Sequence, residues 1–116
     1  MQTWCNAKVH LVNYVLSSGV ELDLMYSDTC QANFAVIQYS FYQTIPGGYM
    51  HVSVQRQSDG KISADDAYHS ALNVNYLPYS LTLESGMVYA PVAKARAYGS
   101  IDGVVGTFCT SYYVKR

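Results

Sequence analysis

Charge is scarce in this chain: of 116 residues only 13% are Asp, Glu, Lys or Arg, the formal net charge is -1, and lysines and arginines form no run. The electrostatic attraction that dominates binding to nucleic acid or to anionic lipid is therefore missing, and neither partner is expected. Long apolar runs are missing too. None approaches the roughly 20 residues that cross a bilayer as a helix, so membrane insertion is not expected. The start, Met1-Gln2-Thr3-Trp4-Cys5, lacks the basic and apolar regions of a signal peptide, so an exported chain would appear here in mature form. Phosphate-cradling loops are absent, because Pro46-Gly47-Gly48 and Val104-Val105-Gly106 have neither the lysine nor the strand-to-helix setting; no cofactor is expected. There is no G-x-S-x-G turn, no H-x-H or H-E-x-x-H pair and no C-x-x-C, which removes the local signatures of serine hydrolases and metal centres.

Half of the residues are hydrophobic, enough for one core, and the length suits one domain spanning residues 1–116. Twelve tyrosines stand against three phenylalanines and one tryptophan. Tyrosine joins an apolar ring to a polar tip, which suits half-buried strands and recognition surfaces.

The apolar period is two almost everywhere, so the chain reads as all-β. Val20, Leu22, Leu24 and Tyr26 alternate with Glu21 and Asp23, the pattern of a half-buried antiparallel strand. Tyr79, Leu81 and Leu83 alternate with Ser80, Thr82 and Glu84 in the same way. Further strands are expected at 8–16, 34–42, 50–57, 88–98 and 104–114, seven or eight in all, forming an antiparallel sandwich or a closed barrel. Ser17-Ser18-Gly19, Asp59-Gly60 and Asp102-Gly103 supply turn chemistry between them. One short helix is expected over 63–72, with Ser63 as N-cap and Asp65 and Asp66 in the first turn.

The three cysteines, Cys5, Cys30 and Cys109, admit one disulfide with a thiol left over, three reduced thiols, or a metal site completed by another ligand. Cys109 lies in the apolar stretch Val105-Gly106-Thr107-Phe108-Cys109 and reads as a buried, inert thiol. Around Cys30 the order of residues is distinctive: Gly19-Val20-Glu21-Leu22, then Tyr26-Ser27, Thr29-Cys30 and Asn33-Phe34-Ala35. This resembles the central motif of the YjfA-like group of small secreted bacterial domains of unknown function, in which a strand ending in Tyr-Ser leads to a cysteine and then an aromatic residue. Met87-Val88-Tyr89 followed by Ala95-Arg96-Ala97 is similar to a late segment of that group. The resemblance covers about a third of the chain and implies a secreted β domain with a Cys5–Cys30 bridge. Met25, Phe34 and Val36 stand where the group usually has arginine, tryptophan and arginine. A cytoplasmic chain with inert thiols is the alternative to secretion.

Residues with chemistry are few. Ser18 and Ser85 sit beside glycines and read as turn residues. His10, His51 and His69 are far apart in sequence. The pairs Glu21 with Asp23 and Asp65 with Asp66 fit a polar strand face and a helix start better than the carboxylates of a glycosidase. Calcium binding by Asp59, Asp65 and Asp66 fits no EF-hand spacing. No residue is assigned a catalytic or metal-binding role. A ligand surface is expected where Tyr49 and His51 share a strand face with Ser53 and Gln55, and where Lys94 and Arg96 share one with Tyr98. The chain is thus expected to be a secreted, noncatalytic binding domain presenting Tyr39, Tyr49, Tyr98, Tyr112 and Tyr113, with Trp4, to an extracellular glycan or protein. The alternatives are a small extracellular hydrolase using His51, His69 or Asp66, and a self-associating module forming a homo-oligomer.

Overall fold

The computed structural model describes residues 8–41, 47–69 and 79–114. Among the described residues nine strands follow in order: β1 (Val9–Ser17), β2 (Val20–Ser27), β3 (Ala32–Phe41), β4 (Gly48–Arg56), β5 (Ile62–His69), β6 (Tyr79–Glu84), β7 (Val88–Tyr89), β8 (Ala95–Ile101) and β9 (Val105–Cys109). They form two antiparallel sheets packed face to face, so the architecture is a sandwich and not a closed barrel. One sheet runs β1-β2-β3-β6, with the short β7 also on β3; the other runs β5-β4-β8-β9.

The core lies between the sheets. Val20, Leu22 and Leu24 of β2 with Ala35 and Ile37 of β3 meet Met50, Val52 and Val54 of β4 with Ala95, Ala97 and Ile101 of β8. Each fully buried Leu, Ile or Val here contributes about 1.5–3 kcal/mol. The small residues on β8 make room for large ones opposite: a Cβ on Gly99 would lie 2.8 Å from Ile37 Cδ1 and 3.0 Å from Leu22 Cδ1. Tyr39, expected at the surface, belongs to this core at 7% exposure.

The hairpins follow the turn signals. Ser18 and Gly19 have φ of 52° and 76°, the double left-handed geometry of a type I′ turn, and Ser17 pairs with Val20 across it. Gly60 and Gly103 also take positive φ, in the turns from β4 to β5 and from β8 to β9. Over Ser63–His69 the expected helix is instead strand β5, paired with β4 from Gln55↔Ile62 to Gly48↔His69, and the remaining residues of that expectation lie outside those described. The Asp59-Gly60 turn folds the chain straight back onto β4, and ladder hydrogen bonds outweigh a weak helical preference. The stretch 88–98 is divided by Pro91-Val92-Ala93, where proline offers no ladder N–H.

Two ladder ends share one device. After β6, Ser85 N–H donates to Ala35 O (2.8 Å), the Ala35 N–H donates to Ser85 Oγ (2.9 Å), and that hydroxyl donates to Gly86 O (2.7 Å). After β9, Thr110 repeats the arrangement with Ala97 and Ser111, at 2.9, 3.0 and 3.0 Å. Ser85 is buried, so it is a ladder terminator and not the turn residue its glycine neighbour suggests.

Candidate functional site

The outer face of the four-stranded sheet gathers most of the chemistry. Alternation on β4 buries Met50, Val52 and Val54 and turns Tyr49, His51, Ser53 and Gln55 outward. Register then sets their neighbours. On β5, Tyr68 lies opposite Tyr49, Asp66 opposite His51, Ala64 opposite Ser53 and Ile62 opposite Gln55. On β8, Ser100 lies opposite His51, Tyr98 opposite Ser53 and Arg96 opposite Gln55. At about 3.3 Å per residue, the line from Tyr49 to Gln55 is roughly 20 Å long.

At one end Tyr49 and Tyr68, 50% and 65% exposed, meet edge to face at 5.3 Å between centroids, and Tyr49 stacks on His51 at 6.2 Å. The Tyr49 backbone is pinned by Asp102, whose N–H donates to Tyr49 O (2.9 Å) and whose Oδ2 accepts the Tyr49 N–H (3.0 Å). His51 Nδ1 donates to Asp66 Oδ1 at 2.5 Å. Both side chains are about half exposed, so this pair adds under about 1 kcal/mol of stability, but it holds the imidazole orientation and leaves Nε2 as the acceptor of the neutral ring.

In the middle is an open cavity of about 380 Å³ lined by His51, Ser53, Asp66, Tyr98, Ser100 and Thr107, with Ile62 and Ala64 on its apolar side. Thr107 reaches it through a β-bulge: between Gly99↔Phe108 and Ile101↔Val105, β8 advances two residues and β9 three. The same bulge carries Cys109 out to solvent opposite Tyr98, so it is an exposed free thiol and not the buried one expected.

At the other end Arg96 lies between two rings, 4.6 Å from the Tyr98 centroid and 4.4 Å from that of Tyr112. Gln55 Oε1 accepts from Tyr98 OH (2.8 Å), Tyr112 OH (3.1 Å), Arg96 Nη2 (3.2 Å) and Arg96 Nε (3.3 Å). Lys94 precedes β8 and is exposed, its carbonyl accepting the Gln57 N–H at 2.8 Å. The structure thus brings Tyr49, His51, Arg96 and Tyr98 onto one face, with Lys94 just beyond its strand. Tyr113 is exposed and pairs with Ala95 through an isolated bridge. Trp4, Cys5 and the His69 side chain lie outside the described residues.

Sequence reasoning misses Tyr68, Asp66, Ser100 and Thr107 as members of this face. The Asp59-Gly60 turn, which folds the following residues back beside β4, is the available signal for the first two.

The other acids are engaged elsewhere. Asp59 receives both Arg56 Nε (2.8 Å) and Nη2 (2.6 Å), which holds its carboxyl well below the usual range. Among the described residues, no three His, Cys, Asp or Glu side chains gather as a metal group. On the far sheet Asp23 is only 5% exposed, not the open polar residue expected; Gln38 Nε2 donates to its Oδ2 at 2.7 Å, while Oδ1 is buried without a hydrogen-bond partner. Burial, with a hydrogen bond and repulsion from Glu21, raises its pKa to about 7, against the opposing Gln38 contact. No family model, no curated protein and no solved structure matches the chain.

Proposed function

We propose that this chain is a secreted, noncatalytic binding domain that recognises a glycan on the outer face of its four-stranded sheet. One observation carries the reading: two pairs of rings on one face, the exposed Tyr68 and Tyr49 and the partly buried Tyr98 and Tyr112, flank a shallow cavity edged with hydroxyls and the His51–Asp66 pair. Aromatic faces match the apolar faces of sugar rings, and short hydroxyl, imidazole and carboxylate groups match their hydroxyls. The test is binding to an array of neutral and acidic oligosaccharides, followed by titration of the double variant Tyr49→Ala/Tyr68→Ala. Loss of two ring anchors should weaken binding by roughly tenfold or more. An array with no bound sugar, or a variant that binds as well as the parent, would overturn the reading; a protein partner captured by the same face would replace the glycan.

Secretion and the YjfA-like resemblance belong to the same proposal. The bridge it implies, Cys5–Cys30, is supported by Cys109 being a free thiol while Cys30 is not. Closing a loop of this length would stabilise the fold by roughly 3 kcal/mol in the chain-entropy account. Alkylation followed by intact mass measurement should then find one reactive thiol without reduction and three after it.

A second reading, an extracellular hydrolase, draws on the His51–Asp66 hydrogen bond, an arrangement that orients a general base, with Ser100 in register beside His51. Ester turnover abolished by His51→Ala and by Ser100→Ala would favour it over the binding domain.

A further inference from the structure

The donors at the Gln55 end of the face outnumber what they surround. A carbonyl oxygen offers two lone pairs, yet Gln55 Oε1 faces four N–H and O–H groups, two of them on a guanidinium. The amide cannot be turned to relieve this, since its NH2 would then confront Arg96, which accepts nothing. Charge is unbalanced as well. Arg56 is neutralised by a two-point contact with Asp59, whereas Arg96 makes no ion pair among the described residues and has only the neutral amide and two rings. The rings hold the guanidinium in place, so little freedom remains to be lost when a ligand arrives. Lys94, exposed two residues earlier, adds a second cation on the approach.

Resting on the glycan-binding reading, we propose that Arg96, Tyr98, Tyr112 and Gln55 form an oxyanion subsite that takes the carboxylate or sulfate of an acidic sugar. A carboxylate has two oxygens and about four lone-pair directions, and a guanidinium fork matches them two at a time. The donors that crowd one amide oxygen would then be shared with an acceptor that also cancels the charge.

The experiment is an NMR titration of the intact protein at fixed ionic strength, following the Arg96 Nε–Hε signal and the Tyr98 and Tyr112 rings. Sodium D-glucuronate and sodium sulfate are the probes, with D-glucose as the neutral control. Saturable shifts with glucuronate or sulfate, absent with glucose, support the subsite, and whichever of the two binds more tightly tells a uronic acid from a sulfate ester. Arg96→Gln should abolish the response, and Arg96→Lys should weaken it at least tenfold, since an ammonium lacks the fork. Gln55→Glu supplies an internal carboxylate: it should weaken both anions at least tenfold and raise Tm. No response of Arg96 to either anion, an equal response to glucose, or unchanged anion binding in Gln55→Glu would overturn the proposal. Equal retention of neutral and acidic oligosaccharides through Tyr49 and Tyr68, with Arg96 silent, would overturn the subsite and leave the glycan reading standing. A blank array with the anion response intact would do the reverse.

Discussion

Replacing Asp23 with asparagine should stabilise the protein at neutral and alkaline pH and change it little in acid. Asp23 is buried with Oδ1 unpartnered, and its pKa is raised from 3.8 to about 7 by burial first and by Glu21 second. The folded protein therefore keeps a proton there that the unfolded chain gives up near pH 4. Because the native state binds more protons, stability falls as pH rises; the contribution is whole below about pH 4, declines through the interval and levels off above about pH 7. At about 1.4 kcal/mol per unit over roughly three units the full loss is on the order of 4 kcal/mol, with roughly 2–3 kcal/mol of it between about pH 5 and pH 8. Asparagine is a fixed imitation of the protonated acid: its carbonyl can keep the Gln38 contact and its NH2 can donate toward Glu21. Urea unfolding of both proteins at several pH values isolates the Asp23–Glu21 site, since the titrations of groups that do not interact with it cancel in the difference. The advantage of Asp23→Asn over the parent should grow by roughly 2–3 kcal/mol from about pH 5 to pH 8. A difference that stays constant across that range would refute the account of Asp23.

Ser85→Ala should cost roughly 1–3 kcal/mol in urea unfolding, because the buried Ala35 N–H loses its acceptor. Thr110→Val should cost a similar amount through Ala97 while keeping side-chain volume. Gly99→Ala should destabilise by roughly 1–2 kcal/mol as its new methyl meets Ile37 Cδ1, and combining it with Ile37→Val should cost less than the sum of the two changes. Ser18→Asn should raise stability by up to about 1 kcal/mol, visible as a higher Tm, because asparagine tolerates the left-handed backbone at that turn better than serine.

The strands that read clearly are those whose apolar residues alternate with polar ones. Val20–Tyr26 and the β4 stripe repeat in sequence with a period of two, and the outer stripe Tyr49, His51, Ser53, Gln55 is visible for that reason. β5 is not visible: as an edge strand it has little to bury, so Ala64, Asp65, Asp66 and Ala67 show no strong alternation, and serine ahead of two aspartates imitates a helix start. The partnership of His51 with Asp66 depends on a register that only the folded hairpin sets. Cys109 reads as buried but faces solvent, because a bulge earlier in the ladder inverts the parity of everything after it. Asp23 falls on the expected face, but its burial is decided by neighbours on β1 and β3 that are distant or unmarked in sequence. At Arg96, the basic and aromatic spacing is readable, while Gln55 and Tyr112, the groups that make it a cluster, come from other parts of the chain.

The hydroxyl relays at Ser85 and Thr110 bear on how such a domain tolerates change. Each lets a strand leave its neighbour without opening a seam in the sheet, because a side-chain oxygen stands in for the missing main-chain carbonyl and hands its own proton onward. Insertions after either residue would therefore lengthen a loop without unzipping the ladder behind it, and the two alanine amides would stay sealed from solvent exchange. Only serine or threonine can serve at these positions, which makes them the points where the outer segments can be rebuilt around an unchanged sandwich.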